Sequence, residues 1–549
     1  MNKVDLILLI ALCSLLSCCA KEPNQDVNIV PQPQQVEIVD GGFSLSSKTV
    51  INVVKDAEDL QPACVFLSKL VEKSLGGALE IKSGKARKNA VNITVDPAMK
   101  MDAYELTVAN NAIDIKGGSS KAVFYAVQSL RQMMPVGIEN GEQMSKIRIQ
   151  NVKIQDEPRF GYRGGMLDVC RHFFTVEEVK SYIDILALHK LSVFHWHLTE
   201  DQGWRIEIKK YPELTQVGSL RKQTVIGKNT GKYDGIPYGP YFFTQEQIKD
   251  IVRYAADRYI TIIPEIELPG HALAALATYP ELGCTGGPYE VCQMWGVFPQ
   301  VFCAGNEKTF EFLENVLTEV ADLFPSDIIH IGGDECPKSA WNKCKKCQQR
   351  IKKENLKNEE ELQSYVIHRI EAFLKTKGKK IIGWDEILEG GVSPTATVMS
   401  WRGKKGGIMA AQKGNNVVMT PNNYVYFDYY QSKDIKNEPF SIGGFVDVAK
   451  VYSLDPTEGL TPEQGEKVIG VQANLWTEYI PTFSHAEYML LPRLAALSEV
   501  GWTALDKKDY NNFLERARLL TQRYEALGYN YAKHIMQETK VEIEEAAKK

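Results

Sequence analysis

The chain has 549 residues, 44% hydrophobic and 24% charged, with a formal net charge of −5. That length exceeds one ordinary hydrophobic core and predicts two or more domains, while the composition excludes a disordered or fibrous chain. No basic stripe runs along it, so nucleic acid is not expected as a partner.

The N-terminus reads as an export signal. Lys3 precedes "LILLIALCSLLS", which is too short for a confident membrane span and fits a signal-peptide core. The core ends in "LLSC", which resembles a bacterial lipobox. Residues 1–18 are therefore predicted to be a lipoprotein-type signal peptide, with Cys18 as the lipidated residue; cleavage and plain secretion is the alternative. Residues 19–27 are polar and Pro-containing, as a tether would be. The expected location is the bacterial periplasm or outer membrane, with the membrane touched only through the lipid.

Residues 28–155 predict a small α+β domain. "AVNITVD", "AYELTVANNAIDIKGG" and "MSKIRIQNVKIQDEP" alternate apolar and polar residues, the period of half-exposed strands, while "KAVFYAVQSLRQMM" has helical spacing. From Arg159 the rhythm becomes strand, loop, helix, repeated. Apolar runs at 162–169, 191–198, 260–268, 327–335, 379–387, 396–403, 415–422 and 467–478 make eight strand candidates. Buried parallel strands alternating with helices predict a right-handed α/β array, and eight of them predict a closed (β/α)8 TIM barrel over residues 156–505. The helices after the fifth and seventh strands are poorly marked, and 423–467 reads as an active-site loop. Residues 506–549 predict C-terminal helices packed on the barrel.

Of the eleven cysteines, Cys13, Cys18 and Cys19 belong to the leader, and Cys64 and Cys170 stand alone. Cys284, Cys292 and Cys303 form one local group, and Cys336, Cys344 and Cys347 another. "CKKC" at 344–347 raises zinc, but no second CxxC or nearby His pair accompanies it. Local disulfides are expected instead, with no metal and no cofactor.

In a barrel of this kind the chemistry lies at the C-terminal ends of the strands. Those ends carry Asp168 and Arg171; His195, His197, Glu200, Asp201 and Trp204; Glu267 and His271; Asp334 and Glu335; Trp384, Asp385 and Glu386; Trp401 and Arg402; Tyr426 and Asp428; and Asn474, Trp476 and Glu478. Carboxylates suit the hydroxyl edges of a sugar, and indole rings suit its C–H faces. Four of the eight tryptophans (Trp204, Trp384, Trp401, Trp476) fall at these ends, which favours a sugar site over purely structural use. The His195/His197 pair imitates a metal site but lacks matching partners at later strand ends, so supporting hydrogen bonds are expected of it. Glu386 is a rival acid without a paired partner.

Asp334 and Glu335 are the informative pair. A two-carboxylate glycosidase needs its groups roughly 5–9.5 Å apart across the anomeric carbon. Sequence neighbours are poorly placed to straddle a ring, but they can divide two tasks on one face. One protonates the leaving oxygen, and the other supports a nucleophile belonging to the substrate, such as a 2-acetamido carbonyl.

"LDVCRHF", "HLTEDQGWR", "ELPGHA", "HIGGDE", "GWDE", "SWRG" and "NLWTE", in this order, resemble the family 20 glycoside hydrolases, the β-N-acetylhexosaminidases. The resemblance implies exo-acting removal of terminal β-linked GlcNAc or GalNAc from glycans by substrate-assisted, retaining hydrolysis, an exception to the two-carboxylate scheme. It implies Glu335 as general acid and then base, Asp334 as the acetamido N–H acceptor, and Tyr426 as the donor to the acetamido oxygen. Trp384, Trp401 and Trp476 would box the methyl group and sugar face. Arg171 would bind the C3/C4 hydroxyls, Glu478 the C4/C6 hydroxyls, and Asp428 would help hold the terminal sugar. Asp201 and His271 would support the acid. Two other readings remain at this point: a related disaccharide-releasing or chitinolytic hydrolase, and a sugar-binding lipoprotein with lapsed catalysis. Arg171 and Glu478 speak against the first, and the intact Asp334-Glu335-Tyr426 set against the second.

Overall fold

The computed structural model describes residues 27–55, 59–228 and 230–534. Cys18 and its leader lie outside the described residues.

The first unit is a seven-stranded sheet with strands β1 (Gln35–Leu45), β2 (Val50–Lys55), β3 (Glu80–Ser83), β4 (Ala90–Val95), β5 (Tyr104–Ala109), β6 (Ala112–Gly117) and β7 (Ile147–Asp156). Their order across the sheet is β1-β7-β5-β6-β4-β2-β3. The β1-β7-β5-β6 side is antiparallel and the β6-β4-β2-β3 side parallel. Helices Gln61–Leu75 and Ser120–Met133 pack on it, the second started by the Ser119 hydroxyl accepting from the Ala122 amide. Alternation in β5, where every second side chain is buried, puts Tyr104, Leu106 and Val108 into this core.

Eight parallel strands follow and close on themselves: β8 (Tyr162–Asp168), β9 (Val193–His197), β10 (Thr261–Leu268), β11 (Ile328–Gly332), β12 (Lys380–Trp384), β13 (Thr397–Ser400), β14 (Val417–Met419) and β15 (Val468–Leu475). β15 pairs with β8 to complete the barrel. The strands are buried on both faces, since helices cover the outside and side chains fill the lumen. The helix Val176–Leu188 opens with a capping box in which Thr175 and Glu178 satisfy each other's backbone amides. The two poorly marked connections carry little helix: a single 3-10 turn, Asp385–Leu388, after β12, and only the short helices Asn422–Val425, Val448–Tyr452 and Pro462–Gly465 along the long stretch between β14 and β15.

The two units share a buried polar joint. Asp156 at the end of β7 accepts from Tyr104 Oη at 2.6 Å and Trp502 Nε1 at 2.9 Å, with Lys190 Nζ at 3.5 Å. The expected C-terminal helices on the barrel are, among the described residues, chiefly one helix, Tyr510–Leu527, and it packs on both units. Arg516 reaches Glu499 and the Ile29 carbonyl, while Arg523 reaches Glu139.

Disulfides within the two local cysteine groups are not formed. Cys284, Cys292, Cys303, Cys336, Cys344 and Cys347 are all free thiols. Four of them instead meet across the groups, because the loop after β10 folds onto the segment after β11. Spacing along the chain does not report that approach.

Candidate active site

The barrel mouth holds a cavity of about 360 Å3, toward the small end of ~300–1,000 Å3 small-molecule sites. Its wall brings together ten of the eleven residues to which the family resemblance gives a role: Asp334, Glu335, Tyr426, Arg171, His271, Trp384, Trp401, Asp428, Trp476 and Glu478. Asp201 is the exception. It is buried behind His271, contacting Nδ1 at 3.3 Å and accepting from the Leu273 amide at 2.9 Å.

The adjacent acids can both face the cavity because the strand ends in a turn. In a strand, neighbouring side chains point to opposite faces. Here Gly332, Gly333 and Glu335 all adopt positive φ, at 64°, 93° and 45°, which breaks the alternation. Gly332 also has no room for a side chain, since a Cβ there would lie 1.8 Å from Glu267 Oε2. Glu335 and His271, at φ 48°, are non-glycine residues in the left-handed region, a conformation of higher energy that clusters at functional sites.

Both acids approach one imidazole nitrogen. His271 Nε2 is 3.7 Å from Asp334 Oδ2 and 3.6 Å from Glu335 Oε2, while Nδ1 meets Glu200 Oε1 at 2.7 Å. Burial opposes charge on His271, but Glu200, Asp201 and Asp334 outweigh it and hold the imidazolium well above its ordinary range. Burial pushes Asp334 up to about 6; the His271 cation opposes this, and Glu265 and Glu335 add to it. Asp334 Oδ1 is buried without a hydrogen-bond partner among the described residues, whereas the Glu335 side chain is 39% exposed. One acid is thus sunk in the floor with a free acceptor, and the other stands at the opening.

The aromatic wall is held from behind. Trp384 donates from Nε1 to Glu265 at 2.8 Å, and Trp401 to Glu386 at 3.0 Å. Trp401 stacks on Tyr426 at 6.0 Å and 20°, and Trp384 and Trp476 lie 5.8 Å apart. Arg171 sits over Trp476 at 5.0 Å and is fixed by Asp168 at 3.2 Å, Glu200 at 3.0 Å and Gln202 at 3.0 Å. At the far end, Asp428 and Glu478 are both raised, by burial first; for Asp428 the Glu478 charge comes next, while Arg171 opposes the rise at Glu478. Asp428 Oδ1 also lacks a partner among the described residues.

Beneath the cavity, His195 meets Glu265 at 2.9 Å and Gln472 at 2.9 Å, and His197 meets Asp168 at 3.2 Å and Glu267 at 3.4 Å. Each imidazole is therefore engaged by carboxylates or an amide below the pocket. Glu386 is pushed up to about 8 by burial and then by Asp334 and Asp385, and it serves Trp401. Trp204, expected at the sugar site, is instead core, donating to the Ile206 carbonyl at 2.7 Å and packing on Phe312 at 6.2 Å. The strand ends do not mark Lys228, Trp295, Tyr429, Ile442 and Tyr479, which reach the cavity from loops. Trp295 and Tyr479 contact each other at 6.5 Å, and only their aromatic character could have flagged them.

Residues 160–505 match the model of glycosyl hydrolase family 20, catalytic domain, and residues 26–157 that of glycosyl hydrolase family 20, domain 2. The chain is 46% identical over 533 residues to a β-hexosaminidase of Porphyromonas gingivalis, covering 95% of this chain and 67% of that protein. It superposes with TM-score 0.81 and 31% identity on a Vibrio harveyi exo β-N-acetylglucosaminidase solved with N-acetylglucosamine, covering 93% of this chain and 79% of that one. A Bacteroides fragilis β-N-acetylhexosaminidase superposes with TM-score 0.78 and 31% identity, covering 92% and 96%.

Proposed function

This chain belongs to glycosyl hydrolase family 20 and is an exo-acting β-N-acetylhexosaminidase; we propose that Asp334, Glu335 and Tyr426 carry its reaction on a terminal N-acetylhexosamine. The observation that carries the assignment is Asp334 Oδ1, buried in the cavity floor without a partner among the described residues, beside an acid that stands at the opening.

Glu335 protonates the glycosidic oxygen as the bond to the anomeric carbon breaks. The carbonyl oxygen of the substrate's own 2-acetamido group attacks that carbon, giving a cyclic oxazolinium. Asp334 accepts the acetamido N–H and faces the positive charge as it develops, an electrostatic role that needs its ionised form. Tyr426 donates its hydroxyl hydrogen to the acetamido oxygen and turns it toward the anomeric carbon. Glu335, now a carboxylate, takes a proton from water as that water opens the oxazolinium. Two displacements at one carbon retain the β configuration. The His271 imidazolium sits behind both carboxylates and keeps them oriented.

Trp384, Trp401 and Trp476 wall the acetamido methyl and the sugar face. Arg171, Asp428 and Glu478 take the hydroxyls of the terminal ring, and Asp201 holds His271. A cavity of about 360 Å3 suits one terminal sugar better than a long chain threading through. A p-nitrophenyl β-glucoside, which lacks the acetamido group, should be hydrolysed far more slowly than the N-acetylglucosaminide. Comparable turnover of the two would sink the substrate-assisted scheme.

The location in this reading is the periplasmic or outer-membrane surface, with lipid on Cys18. Its support is the "LLSC" that ends the apolar leader. Expressed with its leader, the protein should partition with membranes, and Cys18→Ala should move it to the soluble fraction. A wild-type protein found only in the soluble fraction would rule the anchor out.

A further inference from the structure

Four cysteine sulfurs converge at the base of the two loops that frame the cavity. Cys284 and Cys303 border the loop after β10; Gly283 and Phe302, their neighbours in the chain, pair in an isolated β-bridge that brings the two side by side. Cys344 and Cys347 come from the segment after β11, at the start of the helix Lys345–Lys353. Sulfur–sulfur distances are 3.8 Å for Cys284–Cys347, 3.7 Å for Cys303–Cys344 and 3.7 Å for Cys303–Cys347. All four sulfurs lie within 4.8 Å of one another.

These spacings fit a metal and fit no disulfide. A disulfide needs sulfurs about 2.05 Å apart. Four thiolates at about 2.3 Å from a central zinc define a tetrahedron with edges of about 3.8 Å. Cys303 stands equally far from Cys344 and Cys347, so the arrangement selects no pairing. The surrounding backbone is also shaped for the cluster. The Gly305 amide, two residues beyond Cys303, hydrogen-bonds its sulfur. A Cβ on Gly305 would lie 2.2 Å from the Lys346 carbonyl carbon, so only glycine lets this chain close on the "CKKC" turn. Cys303, Cys344 and Cys347 are buried, and Lys343, Lys345 and Lys346 are exposed around them. A dication with four thiolates carries two net negative charges, which those lysines offset.

We propose that Cys284, Cys303, Cys344 and Cys347 form a tetrathiolate site for a structural zinc ion. Four protein ligands leave no open coordination position, so the ion's role is to hold the fold. Binding releases the thiol protons to solvent as the four zinc–sulfur bonds form. The site replaces the expectations of local disulfides and of no metal. It ties the loop that carries Trp295 to the cavity wall onto the segment that begins with Asp334 and Glu335. Loss of the ion should therefore loosen the substrate pocket without removing any group that touches the sugar.

The test is elemental analysis and mass-spectrometric thiol mapping of the purified chain, grown with zinc and kept free of chelators. The expected result is one zinc per chain and no disulfide among the four cysteines. Stripping it with a strong chelator under reducing conditions should lower Tm and raise KM more than it lowers kcat, and added zinc should restore both. Cobalt(II) in its place should give the thiolate charge-transfer and d–d absorption of a tetrahedral site. Cys344→Ser/Cys347→Ser should lose the metal, and Cys292→Ser should keep it. Should the double variant not fold, the chelator and cobalt measurements on the wild-type protein decide. Two mapped disulfides, four free thiols without metal, or iron at one per chain would each overturn the zinc assignment.

Discussion

Replacing Asp334 by asparagine should stabilise the protein at neutral pH while disabling it. The carboxylate is buried, has an oxygen without a partner among the described residues, and is pushed up to about 6 from an ordinary 3.8 by burial, with the His271 cation opposing. A tenfold change in proton affinity is worth about 1.4 kcal/mol, so the ionised form costs the fold up to about 3 kcal/mol at pH 7.5. The sign follows from proton affinity. The folded chain binds this proton more tightly than the unfolded one, so folding is relatively favoured below pH 3.8 and the advantage is lost as pH rises through about 6. Asp334→Asn removes the ionisation and with it the penalty. An unfolding entropy of ~2.1 cal/mol/K per residue over about 500 residues gives about 1 °C per kcal/mol, hence a rise in Tm of about 3 °C at pH 7.5. By pH 4.5 the wild-type group is mostly protonated in the fold, and the difference should shrink to about 1 kcal/mol. Thermal melts of both proteins at the two pH values measure this. An unchanged or lower Tm for the variant at pH 7.5, or a gain independent of pH, would refute the electrostatic reasoning.

Two further outcomes follow from the same geometry. Because the proposed scheme needs Asp334 ionised to face the oxazolinium, kcat/KM on an aryl N-acetylglucosaminide should fall on the acid side with an apparent pKa near 6, and Asp334→Asn should abolish that limb; a flat profile down to pH 5 would contradict it. Tyr426→Phe removes the proposed donor to the acetamido oxygen and should lower kcat by about 10²-fold with a smaller change in KM, and a change confined to KM would assign Tyr426 to binding alone.

The sequence carries the barrel because its strands are buried on both faces and read as apolar runs, and strand ends then locate the chemistry. Asp334, Glu335, Trp384 and Trp476 are visible that way, each within a few residues of a strand's last position. Contacts that reach the cavity from loops are not visible, because loop paths depend on tertiary packing: Trp295, Tyr429 and Tyr479 have no periodicity to mark them. Trp204 shows the converse. It sits beyond a strand end but turns into the helix layer against Phe312. Asp201 is close in sequence to the site and one imidazole removed from it in space. The proton affinity of Asp334 is set first by burial, which adjacency to Glu335 does not report. The four converging thiols come from two groups some forty residues apart along the chain, and only the fold brings them together.

The division of labour between the two acids is tested most directly by kcat/KM for Glu335→Gln and Asp334→Asn, each on a natural disaccharide and on an activated aryl glycoside. Proton donation to the leaving oxygen matters most when that oxygen leaves poorly, and general acid assistance is worth ~10²–10⁴-fold. Glu335→Gln should therefore lose far more activity on the disaccharide than on the aryl glycoside. The proposed role of Asp334 is on the acetamido group, whose positioning is needed for either leaving group, so Asp334→Asn should lower both rates by similar factors. A strong leaving-group dependence in Asp334→Asn, with none in Glu335→Gln, would contradict the assignment.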